Sequence, residues 1–362
     1  MDEGFSELQV VIDGRPVGPR HPPYVIAELS ANHNGELQRA LRLVDAVAEA
    51  GADAVKLQTF RPESMTLDVD APGFTVQEGL WAGRRLIDLY RTGQTPAEWH
   101  APIFQRAREQ GLHAFSAPFD VEAVRLLDEL GAPALKIASP ELVHLPLIRT
   151  AAATKRPLIM STGMATLDEI EEAVGAARAS GADEIVLLHC VASYPAPLTD
   201  LRLKLIPELV AHFQVPVGFS DHSMGTDAAV AAVALGAVAV EKHVCLSREE
   251  GGIDSAFSLE PDELARLVQG ARVAWEAAGG GQPPREPGPA PSEAQSLRVR
   301  RSIFATQDIE AGGHFTADNV AVLRPAMGLH PREYERVVKS SATRRIRRGE
   351  PLSFDLLENG DA

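Results

Sequence analysis

Eight short apolar runs, each closing on polar residues and each followed by a stretch with helical spacing, fill residues 24–245. They are VIAELS (25–30), AVKLQTF (54–60), HAFSAPF (113–119), ALKIAS (134–139), PLIMST (157–162), EIVLLHC (184–190), VPVGFSD (215–221) and VAVEKHVC (238–245). Apolar strands alternating with amphipathic helices imply a parallel sheet, because each crossover must cover a sheet face. Eight such units in roughly 250 residues fit a closed (β/α)8 TIM barrel better than an open doubly wound sheet. The helical stretches 36–51, 121–131 and 167–181 each end in glycine, the residue that most readily takes a left-handed C-cap.

The flanks read differently. LQVVIDGRPVG, ahead of the first barrel strand, spells two short strands around an Asp-Gly turn and suits a cover on the barrel floor. Residues 61–94, containing GLWAGRRLIDLY (79–90), form an insertion long enough to suggest a functional loop. The segment 279–296, GGGQPPREPGPAPSEAQS, is too rich in Gly and Pro for a helix or central strand and reads as a linker. It separates a large barrel domain, 1–278, from a small β-rich domain, 297–362. Within the latter, QDIEAGGHFTADNV (307–320) is echoed by RRIRRGEPLSFDLL (344–357), which predicts two similar halves.

A net charge of −15 argues against a nucleic-acid surface. The acid excess belongs to the large domain, since from Arg298 onward 11 Lys/Arg face 9 Asp/Glu. Two cysteines, Cys190 and Cys245, are too few for a disulfide framework and fit a reducing compartment. The start MDEGFSELQV lacks the pattern of a signal peptide, and no apolar run reaches the ~18–20 residues of a membrane span. The expectation is a cytoplasmic protein without membrane or nucleic-acid partners.

In such a barrel the C-terminal strand ends surround the substrate. They are strongly polar here: Glu28 on the first strand, Lys56 and Gln58 on the second, Lys136 then Ser139 on the fourth, Ser161 on the fifth, Ser220 and His222 on the seventh, Glu241 and His243 on the eighth. Two lysines with serine hydroxyls suggest a cradle for phosphate or carboxylate; the competing reading is a lysine paired with Glu28 or Glu241. His222 and His243, on adjacent strands at one level, point to a divalent metal, the alternative being hydrogen-bonded structural histidines. Mn²⁺, Mg²⁺ and Zn²⁺ all suit such ligation. Cys245 shares the parity of His243 but reads better as a buried bystander. Glu28 serves equally as a general acid/base or as a partner of Lys56. No P-loop and no strand followed by G-x-G-x-x-G occurs, so nucleotide binding lacks its usual support.

With these residues in view, the chain resembles the sialic-acid synthase family, enzymes that condense phosphoenolpyruvate with an N-acetylated amino sugar to make a nonulosonic acid. The resemblance runs from about Tyr24 to Glu358 through AELSANHNG, AVKLQTF, KIASPEL, STGMATLDEI, LHCVASYPAP, VGFSDHSMG and VEKHV, then RRSIFA, LRPAMGLHP and RRGEPLS in a tail similar to the antifreeze-like (SAF) domain. It implies phosphoenolpyruvate contacts at Lys56, Lys136, Ser139, Ser161 and Ser220. It also implies sugar contacts at Gln58, Phe119, Glu141, Tyr194 and Asp254, metal ligation by His222 and His243 with Mn²⁺ as the first ion to test, and acid/base work by Glu28. Arg324 matches an arginine that reaches a partner subunit's barrel, which implies a domain-swapped homodimer. Ala117 and Ala192 depart from the family pattern, which usually has threonine and asparagine or serine there. ELSANHNG, GLWAGRRLIDLY and GGIDSAFSLEP are most similar to the branch whose sugar is 2,4-diacetamido-2,4,6-trideoxy-L-altrose. The sialic and legionaminic branches often carry His-Lys at the positions of Ser255 and Ala256. Two other classes stay open: a non-catalytic sugar-binding protein, and an aldolase using Lys56 or Lys136 as a Schiff base.

Overall fold

The structure, a computed structural model, describes residues 8–71, 73–282 and 286–359. Its contacts divide the chain into two compact units, residues 1–284 and 285–362, with the boundary inside the Gly/Pro-rich segment.

In the first unit eight parallel strands close into a barrel: β3 (Tyr24–Glu28), β4 (Ala54–Thr59), β5 (His113–Pro118), β6 (Leu135–Ile137), β7 (Leu158–Ser161), β8 (Ile185–Cys190), β9 (Val217–Asp221) and β10 (Ala239–His243). Closure is made by β10, which pairs with both β9 and β3. Nearly every strand residue is buried, as expected when helices cover one face and the barrel interior fills the other. The crossover helices Leu37–Glu49, Val121–Glu129 and Leu167–Ala179 stop where the sequence places them, before Gly51, Gly131 and Gly181, all of positive φ. Leu167–Ala179 starts on a capping box, with Thr166 and Glu169 each satisfying the other's backbone N–H.

The N-terminal hairpin forms as expected, β1 (Val10–Ile12) antiparallel to β2 (Arg15–Val17). Val10, Ile12 and Val17 join the barrel core, and Val11 N–H donates to Glu184, the residue before β8. The hairpin therefore plugs the N-terminal end of the barrel, opposite the polar strand ends. The insertion folds as two short helices, Pro62–Met65 and Leu86–Gly93.

The second unit contains two antiparallel pairs, β11 (Ser302–Ala305) with β12 (Val320–Leu323) and β13 (Ser340–Ala342) with β14 (Leu357–Asn359). The sequence echo becomes a pairing: Ile309 and Ile346, the isoleucines of the two repeats, exchange both backbone hydrogen bonds at 2.8 Å. The equivalence extends outward, with Thr306 N–H on Asn319 O and Thr343 N–H on Leu356 O. A small core built on Ile303, Ile309, Phe315, Ile346 and Leu352 is shared by both halves.

Candidate active site

Register assembles the site before any side chain is considered. Across the closing strands, His243 is the Cα partner of Glu28, Glu28 of Lys56, and Glu241 of Ser220. Period-two alternation then turns Glu28, Lys56, Ser220, Glu241 and His243 to one side of the wall.

At the centre stands a four-charge cluster. Lys56 pairs with Glu28 and lies 3.6 Å from Glu241 Oε1, while Lys136 Nζ lies 3.7 Å from Glu241 Oε2. All four side chains are at most 5% exposed. The pairing of lysine with inner carboxylates is thus realised, and Glu241 is the hub joining both lysines. Lys136 Nζ also donates to Ser161 Oγ at 2.6 Å, and Ser220 Oγ donates to Glu241 Oε1 at 3.2 Å. Ser139 Oγ accepts the Gly163 N–H at 3.1 Å. A Cβ on Gly163 would stand 2.7 Å from Ser139 Oγ and displace that hydroxyl.

The charges are unequal in character. Burial raises the Glu28 carboxyl above the ordinary carboxylate range, against the pull of Lys56. Burial opposes ionisation of Lys56 as well, but Glu241 and Glu28 outweigh it and hold the ammonium charged. Lys136 is lowered by burial and by repulsion from Lys56, in spite of Glu241. Glu28 Oε1 accepts the Ser30 N–H at 2.7 Å, and its Oε2 faces Lys56. Ser30 Oγ in turn donates to Asp254, and Gln58 reaches the same hydroxyl at 3.4 Å. Gln58 and Asp254 therefore meet through a serine of the SANHNG turn.

The two histidines lie beside this cluster, ring centroids 5.3 Å apart. Tyr194 packs on His222 at 4.3 Å, and Phe257 packs on His243 at 5.0 Å. Trp81, from the insertion, covers Tyr194 at 5.7 Å while its indole N–H donates to Ile253 O at 3.0 Å. Burial pushes His222 down to about 4 and His243 well below the usual imidazole range, so both are neutral at physiological pH. Metal binding needs that state. His222 Nδ1 is committed to Val191 O at 3.0 Å, which leaves Nε2 free, and His243 Nδ1 is buried without a hydrogen-bond partner. These atoms fit a divalent ion. Among the described residues no third His, Cys, Asp or Glu joins them in a cluster, so water or substrate would complete the coordination. Cys245 is buried and outside any such cluster, and Cys190 lies 3.7 Å from His222 Nδ1.

Two expected sugar contacts stand further out. Phe119 packs on Phe60, which packs on Tyr90 of the insertion. Glu141 is half-buried, with Oε2 unpartnered, and burial lifts its carboxyl to about 7. A carboxyl raised this way makes the folded state bind more protons than the unfolded chain, so its contribution falls as pH climbs from 4.5 to about 7. Glu141→Gln is therefore expected to stabilise the protein at pH 8 by about 1–3 kcal/mol and to do nothing near pH 4.5. Urea titrations at the two pH values check this. Arg324 lies exposed in the second unit, just after β12.

Gly163, Ser30, Trp81 and Phe257 were not among the residues expected to form the site. Glu241, read from the sequence as a polar end of the eighth strand and a possible partner of the lysines, takes that partner's place. The other four come from loops, where no period marks them.

The model of the NeuB family matches residues 43–283, and that of the SAF domain matches residues 300–358. The pseudaminic acid synthase of Helicobacter pylori is 39% identical over 338 residues, 93% of this chain and 98% of that protein. The pseudaminic acid synthase of Campylobacter jejuni serotype O:2 is 40% identical over 341 residues, covering 93% and 96%. Among solved structures, an N-acetylneuraminic acid synthetase from Leptospira borgpetersenii superposes with a TM-score of 0.72 at 31% identity, covering 80% of this chain and 95% of that one.

Proposed function

Because the chain belongs to the NeuB family and carries a SAF domain after its barrel, we propose that it condenses phosphoenolpyruvate with 2,4-diacetamido-2,4,6-trideoxy-L-altrose, giving pseudaminic acid and phosphate. The observation that carries the choice of sugar is the 39–40% identity with two pseudaminic acid synthases along almost their whole length.

The residues divide the work as follows. Lys56, Lys136, Ser139, Ser161 and Ser220 bind the anionic groups of phosphoenolpyruvate, and an entering anion competes with Glu28 and Glu241 for the lysines. Held there, C3 is positioned against the aldehyde of the open-chain sugar, which turns a bimolecular encounter into a local one. Gln58, Phe119, Glu141, Tyr194 and Asp254 hold the sugar. C3 forms the new bond to the aldehyde carbon, and the aldehyde oxygen takes a proton, a role suited to Glu28, a buried carboxyl of raised pKa that is the Cα partner of His243. Water then adds to the cationic C2, and the C2–O bond to phosphate breaks. His222 and His243 would hold a divalent ion, Mn²⁺ by preference, which when bound supplies Lewis-acid polarisation of the aldehyde oxygen.

Phosphate release from phosphoenolpyruvate in Mn²⁺, compared across three sugars, tests this reading. Release is expected with the altrose sugar and not with N-acetylmannosamine or 2,4-diacetamido-2,4,6-trideoxymannose. Preference for a manno sugar would move the protein to the sialic or legionaminic branch, and silence with all three would favour a sugar-binding role.

The tail belongs to the same proposal. Arg324 acts in trans, reaching the barrel of a second copy in a domain-swapped homodimer. A linker of 18 residues, if flexible, spans about 25 Å, enough for either cis or trans capping. Mixing His222→Ala with Arg324→Ala protein is expected to restore part of the activity. No restoration, with subunit exchange demonstrated, counts against the swap. Both cysteines are free, which supports a reducing, cytoplasmic setting, and no helix among the described residues is long and apolar enough to cross a membrane.

A further inference from the structure

Behind the two histidines lies an ion pair that the proposed reaction does not touch. Parity turns Asp221 and Lys242 to the opposite face of β9 and β10 from His222 and His243, and the two are direct Cα partners across these strands. Lys242 Nζ donates to Asp221 Oδ2 at 2.8 Å and to the carbonyl of Ser223. Asp221 Oδ1 accepts both the backbone N–H and the hydroxyl of Ser223, at 2.8 and 2.7 Å. Both charged side chains are fully excluded from water, at 0% exposure.

A pair so buried is a poor source of stability, since desolvating two charges costs about what their attraction returns and apolar residues often do as well. Its best-attested return is register. Each member stands one residue before a histidine. The Asp221–Ser223 hydrogen bonds also close over His222 itself, bracketing its backbone. A slip of one residue between these strands would turn one histidine away from the site, and a slip of two would part them by roughly 6–7 Å.

We infer that Asp221, Lys242 and Ser223 form a positioning device that locks β9 to β10 so that His222 and His243 converge on one divalent ion. The inference rests on the two-histidine metal reading above.

The test is Mn²⁺ titration calorimetry on metal-stripped full-length protein, with phosphoenolpyruvate binding to the same metal-free samples as the control for general damage. The double variant Asp221→Asn/Lys242→Met removes both buried charges while keeping an acceptor for Ser223. It is expected to bind Mn²⁺ about 10- to 100-fold more weakly, with phosphoenolpyruvate affinity unchanged. Ser223→Ala, which removes one hydrogen bond, is expected to weaken Mn²⁺ about threefold and decides the matter if the double variant does not fold. Wild-type Mn²⁺ affinity in a folded variant would overturn the proposal. So would a parallel loss of both affinities, which would mean general loosening. Wild-type protein that binds no Mn²⁺, or binds it unchanged after His222→Ala, would refute the two-histidine reading itself and this inference with it.

Discussion

His222→Ala is expected to lower turnover about 10³-fold in saturating Mn²⁺, because losing Lewis-acid stabilisation of several kcal/mol costs a factor of ten per 1.4 kcal/mol. The fold survives the change. His222 contributes one hydrogen bond, from Nδ1 to Val191 O, and an unmet buried acceptor costs about 1–3 kcal/mol. Thermal unfolding should therefore keep the wild-type transition profile, with the midpoint of the barrel modestly lowered. Chelation supplies the second arm: wild-type activity should collapse with a strong chelator and return with added Mn²⁺, whereas the variant, already without its site, should not respond. Undiminished wild-type activity in chelator, or a fully active variant, would remove the metal from the reaction.

Lys56→Met is expected to damage stability and activity together, and to do so in a pH-dependent way. Lys56 faces Glu28 and Glu241, all three nearly excluded from water. Removing one partner of a buried ion pair costs about 3–5 kcal/mol, because the remaining charge stays desolvated. Glu28 has an escape, since burial already raises its carboxyl and Lys56 is the main force pulling it down. Without the lysine its folded pKa climbs further above the unfolded value near 4.5. The folded variant then binds more protons than the unfolded chain, so its stability falls as pH rises from about 4.5 through the folded pKa. The deficit relative to wild type should be small near pH 5 and large at pH 8, as read by denaturant titration. Glu28→Gln added to Lys56→Met should recover most of the loss at pH 8. An equal deficit at both pH values would mean that Glu28 is not the stranded charge. For catalysis, losing a charge-assisted contact to phosphoenolpyruvate of about 1.5–3 kcal/mol predicts a roughly 10- to 100-fold drop in kcat/KM.

The site shows where reading a sequence works and where it stops. Lys56, Lys136, Ser161, Ser220, His222 and His243 were legible because strand ends and period-two parity are local properties, and a barrel places every C-terminal strand end on one rim. The partition of the charges was not legible. The sequence left Lys56 and Lys136 undecided between an anionic substrate and an inner carboxylate, and the structure joins both to Glu241. That choice depends on distances across the barrel, which no spacing along the chain encodes. The aromatic bracket around the histidines was hidden for the same reason. Trp81 meets Tyr194 and the Ile253 carbonyl from more than 100 residues away, and loop residues carry no period to mark them.

What the sequence determined alone is the order of eight strand-helix units, the hairpin at the floor, the Gly/Pro-rich break and the echo in the tail. Each follows from hydrophobic period and turn chemistry, which act within a few residues. The tertiary structure decided which strand ends face one another. Closure of β10 onto β3 sets His243 against Glu28 and Glu28 against Lys56, and in the tail it is the pairing of Ile309 with Ile346 that turns an echo into a fold. Burial then acts on whatever register has brought together. It keeps the imidazoles neutral and raises Glu28 because removal from water penalises charge, and only the closed barrel removes them from water.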